Sequence, residues 1–125
     1  KADAGADFII TQPVFDVESF FSFMKKIENT GLPVIAGIWP LASYRNALFM
    51  QNEVPGVVIP DSVMKRMERC RSKEEARREG VMLAREMVTA IRGAIAGIQV
   101  SPPFGRLATA LAVLARTDAE AEALL

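Results

Sequence analysis

No histidine occurs among the 125 residues. That single absence excludes Ser/His/Asp and Cys/His nucleophilic triads, imidazole metal ligands and imidazole acid–base chemistry together. Cysteine is nearly absent too. Cys70 alone can form no internal disulfide and cannot build a structural zinc site, which suits a reducing compartment. An excess of either charge is also missing, because fifteen Lys and Arg balance fifteen Asp and Glu. Without a basic footprint, neither nucleic acid nor an anionic membrane surface is an expected partner. No apolar run is long enough to cross a bilayer, and the start at Lys1-Ala2-Asp3 has neither an initiator Met nor a signal-like apolar core. The expectation is a cytoplasmic chain excised from something longer, whose chemistry must use carboxylates, Lys, Arg, Tyr or a cofactor.

What is present is the composition of a folded domain, half apolar and 24% charged. Phe8 to Thr11, stopped by Pro13, reads as a buried strand. Asp16 is placed to cap a helix over about 17–29, in which Phe20, Phe23, Met24 and Ile27 share a face. Thr30-Gly31 stops it, and Pro33 to Ile38 is a second strand with Gly37 inside and Pro40 just beyond. Ser43 caps a helix over about 44–52, and the prolines and glycine of 54–60 make a connector. Asp61 begins a helical run to Cys70. Ser72-Lys73-Glu74-Glu75 has the form of a capping box and opens the longest helix, ended by Gly97. Val81, Ala84, Val88, Ile91 and Ile95 define its core face, with Arg77, Arg78, Glu79, Arg85 and Glu86 mostly solvated. A brief strand at 97–100, a loop at 101–106, a helix over 107–115 and a short helix capped by Thr117 complete the chain.

Strand–helix alternation of this kind implies parallel pairing in an α/β architecture. Three parallel strands alone are a poor domain, since such sheets are buried on both faces and need their edges covered. A complete (β/α)8 barrel takes roughly 250 residues. Residues 1–125 are therefore expected to form the C-terminal portion of a TIM barrel, with the rest of the barrel as partner. The alternative is a non-catalytic interaction module whose open edges pair with another copy, as a homo-oligomer, or with another polypeptide.

Lys1-x-Asp3-Ala4-Gly5-Ala6-Asp7-x-x-Ile10-Thr11-Gln12, followed by Phe15-Asp16, resembles a segment of the methylenetetrahydrofolate reductase family. Pro33-x-x-x-Gly37-Ile38-x-Pro40 and Val58-Ile59-Pro60 continue the likeness, which covers Lys1 to about Leu114. The Gln99 to Arg106 segment differs from the His-Phe-Tyr-Thr-Leu-Asn-Arg form of stand-alone reductases. It looks more like the form fused behind a homocysteine S-methyltransferase module. The resemblance implies a TIM barrel, FAD as cofactor, NADH or NADPH as co-substrate, and reduction of 5,10-methylenetetrahydrofolate to 5-methyltetrahydrofolate. The family's acidic catalytic groups lie upstream of Lys1, so no catalytic residue is assigned within this chain, and the isolated chain is expected to be inactive.

Four residues match substrate-binding positions and one a cofactor position. Gln12 follows the first strand at the rim where barrel active sites assemble, and its amide offers donor and acceptor to a pterin edge. The resemblance makes it a folate ligand; otherwise it is a loop residue at a strand end. Asn46 and Arg106 match polar groups at the folate's glutamate end, an Arg fork suiting a carboxylate. Their plain alternatives are an exposed helix Asn and a loop Arg displaced by one position in the match. Met50, beside Phe49, stands where stand-alone relatives have a stacking Phe, though a Met at helical spacing is more often core. Lys1 matches the lysine that contacts the flavin. Gly37 suggests close backbone approach, and no Gly-rich phosphate loop is present. Cys70 between Arg69 and Arg71 reads as an unreactive thiol, and 73–79 as a solvated helix face.

Overall fold

In a computed structural model, residues 2–125 are described. Three strands, β1 (Ile9–Pro13), β2 (Val34–Ile38) and β3 (Gly97–Val100), form one parallel sheet in chain order. Six helices flank it: α1 (Val17–Ile27), α2 (Tyr44–Glu53), α3 (Asp61–Glu68), α4 (Lys73–Ile91), α5 (Leu107–Leu114) and α6 (Asp118–Ala123). This is a partial α/β barrel in which neighbouring strands follow one another in sequence, as barrel strands do.

Local chemistry sets the helix starts. The Asp16 carboxylate accepts from the Ser19 N–H, and the hydroxyls of Ser43, Ser72 and Thr117 accept from the N–H groups of Asn46, Glu75 and Glu120. Each such cap is worth about 1 kcal/mol. Both expected capping boxes close one residue farther out than the usual form, because Glu75 and Glu120 accept from the N–H of Arg71 and Arg116, which precede the cap residues.

The sheet has a covered and an open face. Val34, Ala36 and Ile38 of β2 are buried, and Ala36 and Ile38 share a cluster with Phe20, Val81, Ala84, Met87, Ile91 and Val113 from α1, α4 and α5. On the other face lie Ile10, which is 51% exposed, its partner Ile35, and Gln99. A second cluster joins Leu41, Ala47, Met50, Val57, Ile59, Met67 and Ala76 and holds the connections after β2 in place. The C-terminal rim thus has a core of its own.

Several sequence expectations need correction. β1 is half-exposed rather than buried, since its open face meets no layer among the described residues. The longest helix ends at Ile91 in a 3-10 turn at Arg92–Ala94, and Gly97 begins β3 instead of ending the helix. Cys70 lies beyond the end of α3. Met87 joins the α4 core that spacing had assigned without it, while Arg85 leaves the solvated face and is only 15% exposed.

Candidate functional site

The carboxyl end of β1 is shaped by a bulge. Ile9 and Ile10 pair with Val34 and Ile35, but the next pair is Pro13 with Gly37, so β1 carries an extra residue there. Thr11 Oγ1 fills the break, accepting from the Gly37 N–H at 2.9 Å and donating to the Gln12 carbonyl at 2.8 Å. The approach requires glycine: a Cβ at position 37 would sit 2.7 Å from the Thr11 carbonyl oxygen. The bulge brings exposed Gln12 to the strand's end, where its Oε1 lies 2.8 Å from the place a Cβ of Gly56 would occupy. Gly56, at φ +83°, therefore leaves the room that the Gln12 amide fills. A cavity of about 330 Å³ opens beside it, walled by Ile10, Phe23, Gly56 and Val58 as well as Gln12.

The loop after β2 is held from below by α4. A Cβ at Gly80 would fall 1.7 Å from the Leu41 carbonyl oxygen, so helix and loop touch backbone to backbone. Asn46, in the first turn of α2, is half-buried, and its Oδ1 accepts from Trp39 Nε1 and from the Ala42 N–H, both at 3.1 Å. Two donors on one oxygen fix the orientation of the amide and leave Nδ2 as the group available to a ligand acceptor. Met50 is 4% exposed and packs in the second core, whereas neighbouring Phe49 points outward. The Met50 side chain thus supports the α2 wall and presents no surface to the rim.

The loop after β3 carries Arg106, which is exposed and immediately precedes α5 at the helix's N-cap position. Just before it, Phe104 has φ +57° and is 86% exposed. Arg106 lines a cleft of about 260 Å³ with Ala42 and Ser43 of the β2–α2 loop, Lys73 and Arg77 of α4, and Phe104. Three cations face this space, and no carboxylate among the described residues does.

Gln12, in the last turn of β1's ladder before Pro13, and Asn46 and Arg106, on the segments that follow β2 and β3, thus lie along one rim. Strands stand about 4.8 Å apart, so the rim runs roughly 10 Å from β1 to β3. Lys1 lies outside the described residues. The sequence reading missed Gly80, Gly56 and the turn of Lys73 and Arg77 into the cleft; an isolated Gly within a helical pattern was the one signal for Gly80. Away from the rim, burial raises the Cys70 thiol above its ordinary range, with Glu75 and Glu79 adding to the effect, which makes it a poor nucleophile. No helix among the described residues is long and apolar enough to cross a membrane.

The family model described as methylenetetrahydrofolate reductase matches residues 1–99. Methylenetetrahydrofolate reductase 1 of Schizosaccharomyces pombe is 34% identical over 90 residues, covering 70% of this chain and 15% of that protein. Methylenetetrahydrofolate reductase (NADH) 1 of Zea mays is 33% identical over the same length and shares. A Caenorhabditis elegans protein with the name "Probable methylenetetrahydrofolate reductase (NADPH)" is 39% identical over 67 residues, or 49% of this chain and 10% of that protein. The chain spans about 15% of the length of the first two relatives.

Proposed function

The chain belongs to the methylenetetrahydrofolate reductase family, and from that premise we propose that it forms one side of the active-site rim of a flavin-dependent reductase. Its substrate is 5,10-methylenetetrahydrofolate, its product 5-methyltetrahydrofolate, and its reductant NADH or NADPH; relatives bear names of both kinds. The observation that carries the reading is Gln12, brought to the rim by the β1 bulge and seated over Gly56 beside a largely apolar cavity. A pterin has a flat apolar body and an edge of alternating donors and acceptors, and an amide is the side chain that answers both. Asn46 Nδ2 and the Arg106 guanidinium supply donors toward β3, where the glutamyl carboxylates of such a substrate would lie. Met50 contributes by packing α2 rather than by touching the ligand.

FAD supplies hydride transfer from nicotinamide to folate when bound. The one residue assigned to it, Lys1, lies outside the described residues, so this chain's part is to bind and orient folate. The acids that move protons belong to the rest of the barrel, which would also cover the open face at Ile10 and Gln99. The Gln99–Arg106 segment accords with an enzyme fused behind a homocysteine S-methyltransferase module.

The test is NADH- or NADPH-dependent formation of 5-methyltetrahydrofolate by the full-length protein with FAD. Gln12→Ala should lower kcat/KM about 10- to 100-fold, the usual worth of one polar substrate contact. Absence of turnover in the unmodified protein, or full activity in the variant, would overturn the assignment. A second reading, the interaction module, is favoured by the sheet edges, since β1 and β3 each pair with β2 alone among the described residues. Light scattering separates the two: tight oligomers of the folded isolated chain support the module.

A further inference from the structure

Thr11 is half-buried on β1, and its hydroxyl is engaged on both sides by backbone. It accepts from the Gly37 N–H at 2.9 Å and donates to the Gln12 carbonyl at 2.8 Å, so its single proton is not free for a ligand. The bond from Gly37 crosses from β2 where the pairing of β1 slips, between Ile10 opposite Ile35 and Pro13 opposite Gly37. A bulge takes away a main-chain partner at such a point, and here a side-chain oxygen stands in its place. Main-chain bonding resumes at once, with the Val14 N–H donating to the Gly37 carbonyl at 3.0 Å. Val14 packs against the first core cluster and Phe15 against the second, which anchors the chain on the far side of the bulge. The Gln12 peptide is therefore held by Thr11 on one side and by packed residues on the other. Its side chain meets a third limit at Gly56, because Oε1 lies where that glycine, at φ +83°, has no Cβ.

We propose that Thr11 is a positioning residue for the substrate amide of Gln12. Its hydroxyl fixes the plane of the Gln12 peptide, Gly56 bounds the side chain, and together they confine the amide to one place at the mouth of the cavity walled by Ile10, Phe23 and Val58. Thr11 donates to no ligand and acts through Gln12; in that respect the inference rests on the reading of Gln12 as a folate contact. Confinement matters because an amide free to turn loses entropy when it binds, whereas one already held does not. The hydroxyl is what the position requires. Valine keeps the branched shape that suits a strand but leaves the Gly37 N–H and the Gln12 carbonyl without their partner, while serine keeps the hydroxyl and loses one methyl group.

The experiment combines substitutions in the full-length protein with FAD. Thr11→Val should lower kcat/KM for methylenetetrahydrofolate about tenfold, mainly through KM, and Thr11→Ser should restore most of the loss. In a Gln12→Ala background the same Thr11→Val change should cost less than about twofold, because the group it positions is gone. Gly56→Ala, whose Cβ would stand 2.8 Å from the Gln12 Oε1, should likewise weaken the protein that has Gln12 and spare the one that lacks it. Hydrogen exchange at the Gly37 amide is a readout independent of turnover, and it should be about tenfold faster in Thr11→Val and unchanged in Thr11→Ser. Equal exchange in Thr11→Val and the unmodified protein overturns the clamp. A full tenfold loss in the Gln12→Ala background marks a structural effect alone and overturns the positioning role with the reductase assignment intact. Absence of turnover in the unmodified protein, with the exchange difference present, removes the folate reading of Gln12 and the positioning role with it, while the clamp stands.

Discussion

Two groups of cations on and around α4 are treated in opposite ways. Along the helix's outer length the cations have acidic partners: Arg66 of α3 joins Glu79 and Glu86, Arg78 joins Glu122, and Arg85 joins Asp118. Arg85 also donates through Nη1 to the carbonyls of Ala112, Val113 and Ala115 at 3.1, 3.2 and 2.7 Å, closing the end of α5. At the helix's first turns Lys73 and Arg77 face a cleft with Arg106 and no acid. A chain with zero net charge has acids enough to neutralise both groups, so the split reflects placement and not supply. The cations that tie α4 to α3 and α6 have acidic partners; those at the rim have none among the described residues.

Among these cations on α4 sits Gly80, where the helix meets the β2–α2 loop, and breaking that contact should have the largest effect. Gly80→Ala drives a Cβ into the Leu41 carbonyl. Because backbone cannot yield as a side chain can, the cost should be about 3 kcal/mol or more. Thermal melting of the full-length protein would register it, and ligand binding at the cleft should fall as the β2–α2 loop shifts. Arg85→Met is next: it keeps bulk but leaves three helix-end carbonyls without their donor, for about 2–3 kcal/mol. Arg66→Gln should cost about 1 kcal/mol or less, since Arg66 is part-exposed and its partner Glu86 lies open to screening water, and that cost should shrink in high salt.

The ranking of those three effects also measures what could be read without a structure. Helix starts at Asp16, Ser43, Ser72 and Thr117 were legible because a capping side chain acts within three residues of itself. The third strand was read correctly at Gly97–Val100, while Gln12, expected just beyond the first strand, lies within its carboxyl end, because β1 runs on through Pro13. Arg85 was not legible: its carbonyl partners lie about thirty residues away, and a charged residue at an outward helical position reads as solvated. Gly80 was hidden for the same reason, since its requirement is set by Leu41. Arg77 and Lys73 were taken as a solvated face because the helical wheel places them outside the core stripe; nothing in their spacing tells that two loops fold over them. The exposed face of β1 was missed because Phe8 to Thr11 has the composition of a strand covered on both sides, and the layer that would cover it is not among the described residues.

The smallest expected change in stability is also the most discriminating. Arg77→Gln removes a cation that has no partner to lose and two like charges nearby, so folding stability should move by no more than about 0.5 kcal/mol, with relief of repulsion favouring a slight gain at low salt. Arg78→Gln, one residue along the helix, removes a cation paired with Glu122 on α6 and should lose a few tenths of a kcal/mol. Both differences shrink as salt rises, but with opposite sign. Paired melting curves of the two variants at low and high ionic strength therefore test the division directly. If both variants lose stability to the same extent at low salt, Arg77 has an acidic partner in the full-length protein, and the cleft is a structural ion pair instead of a place for a ligand.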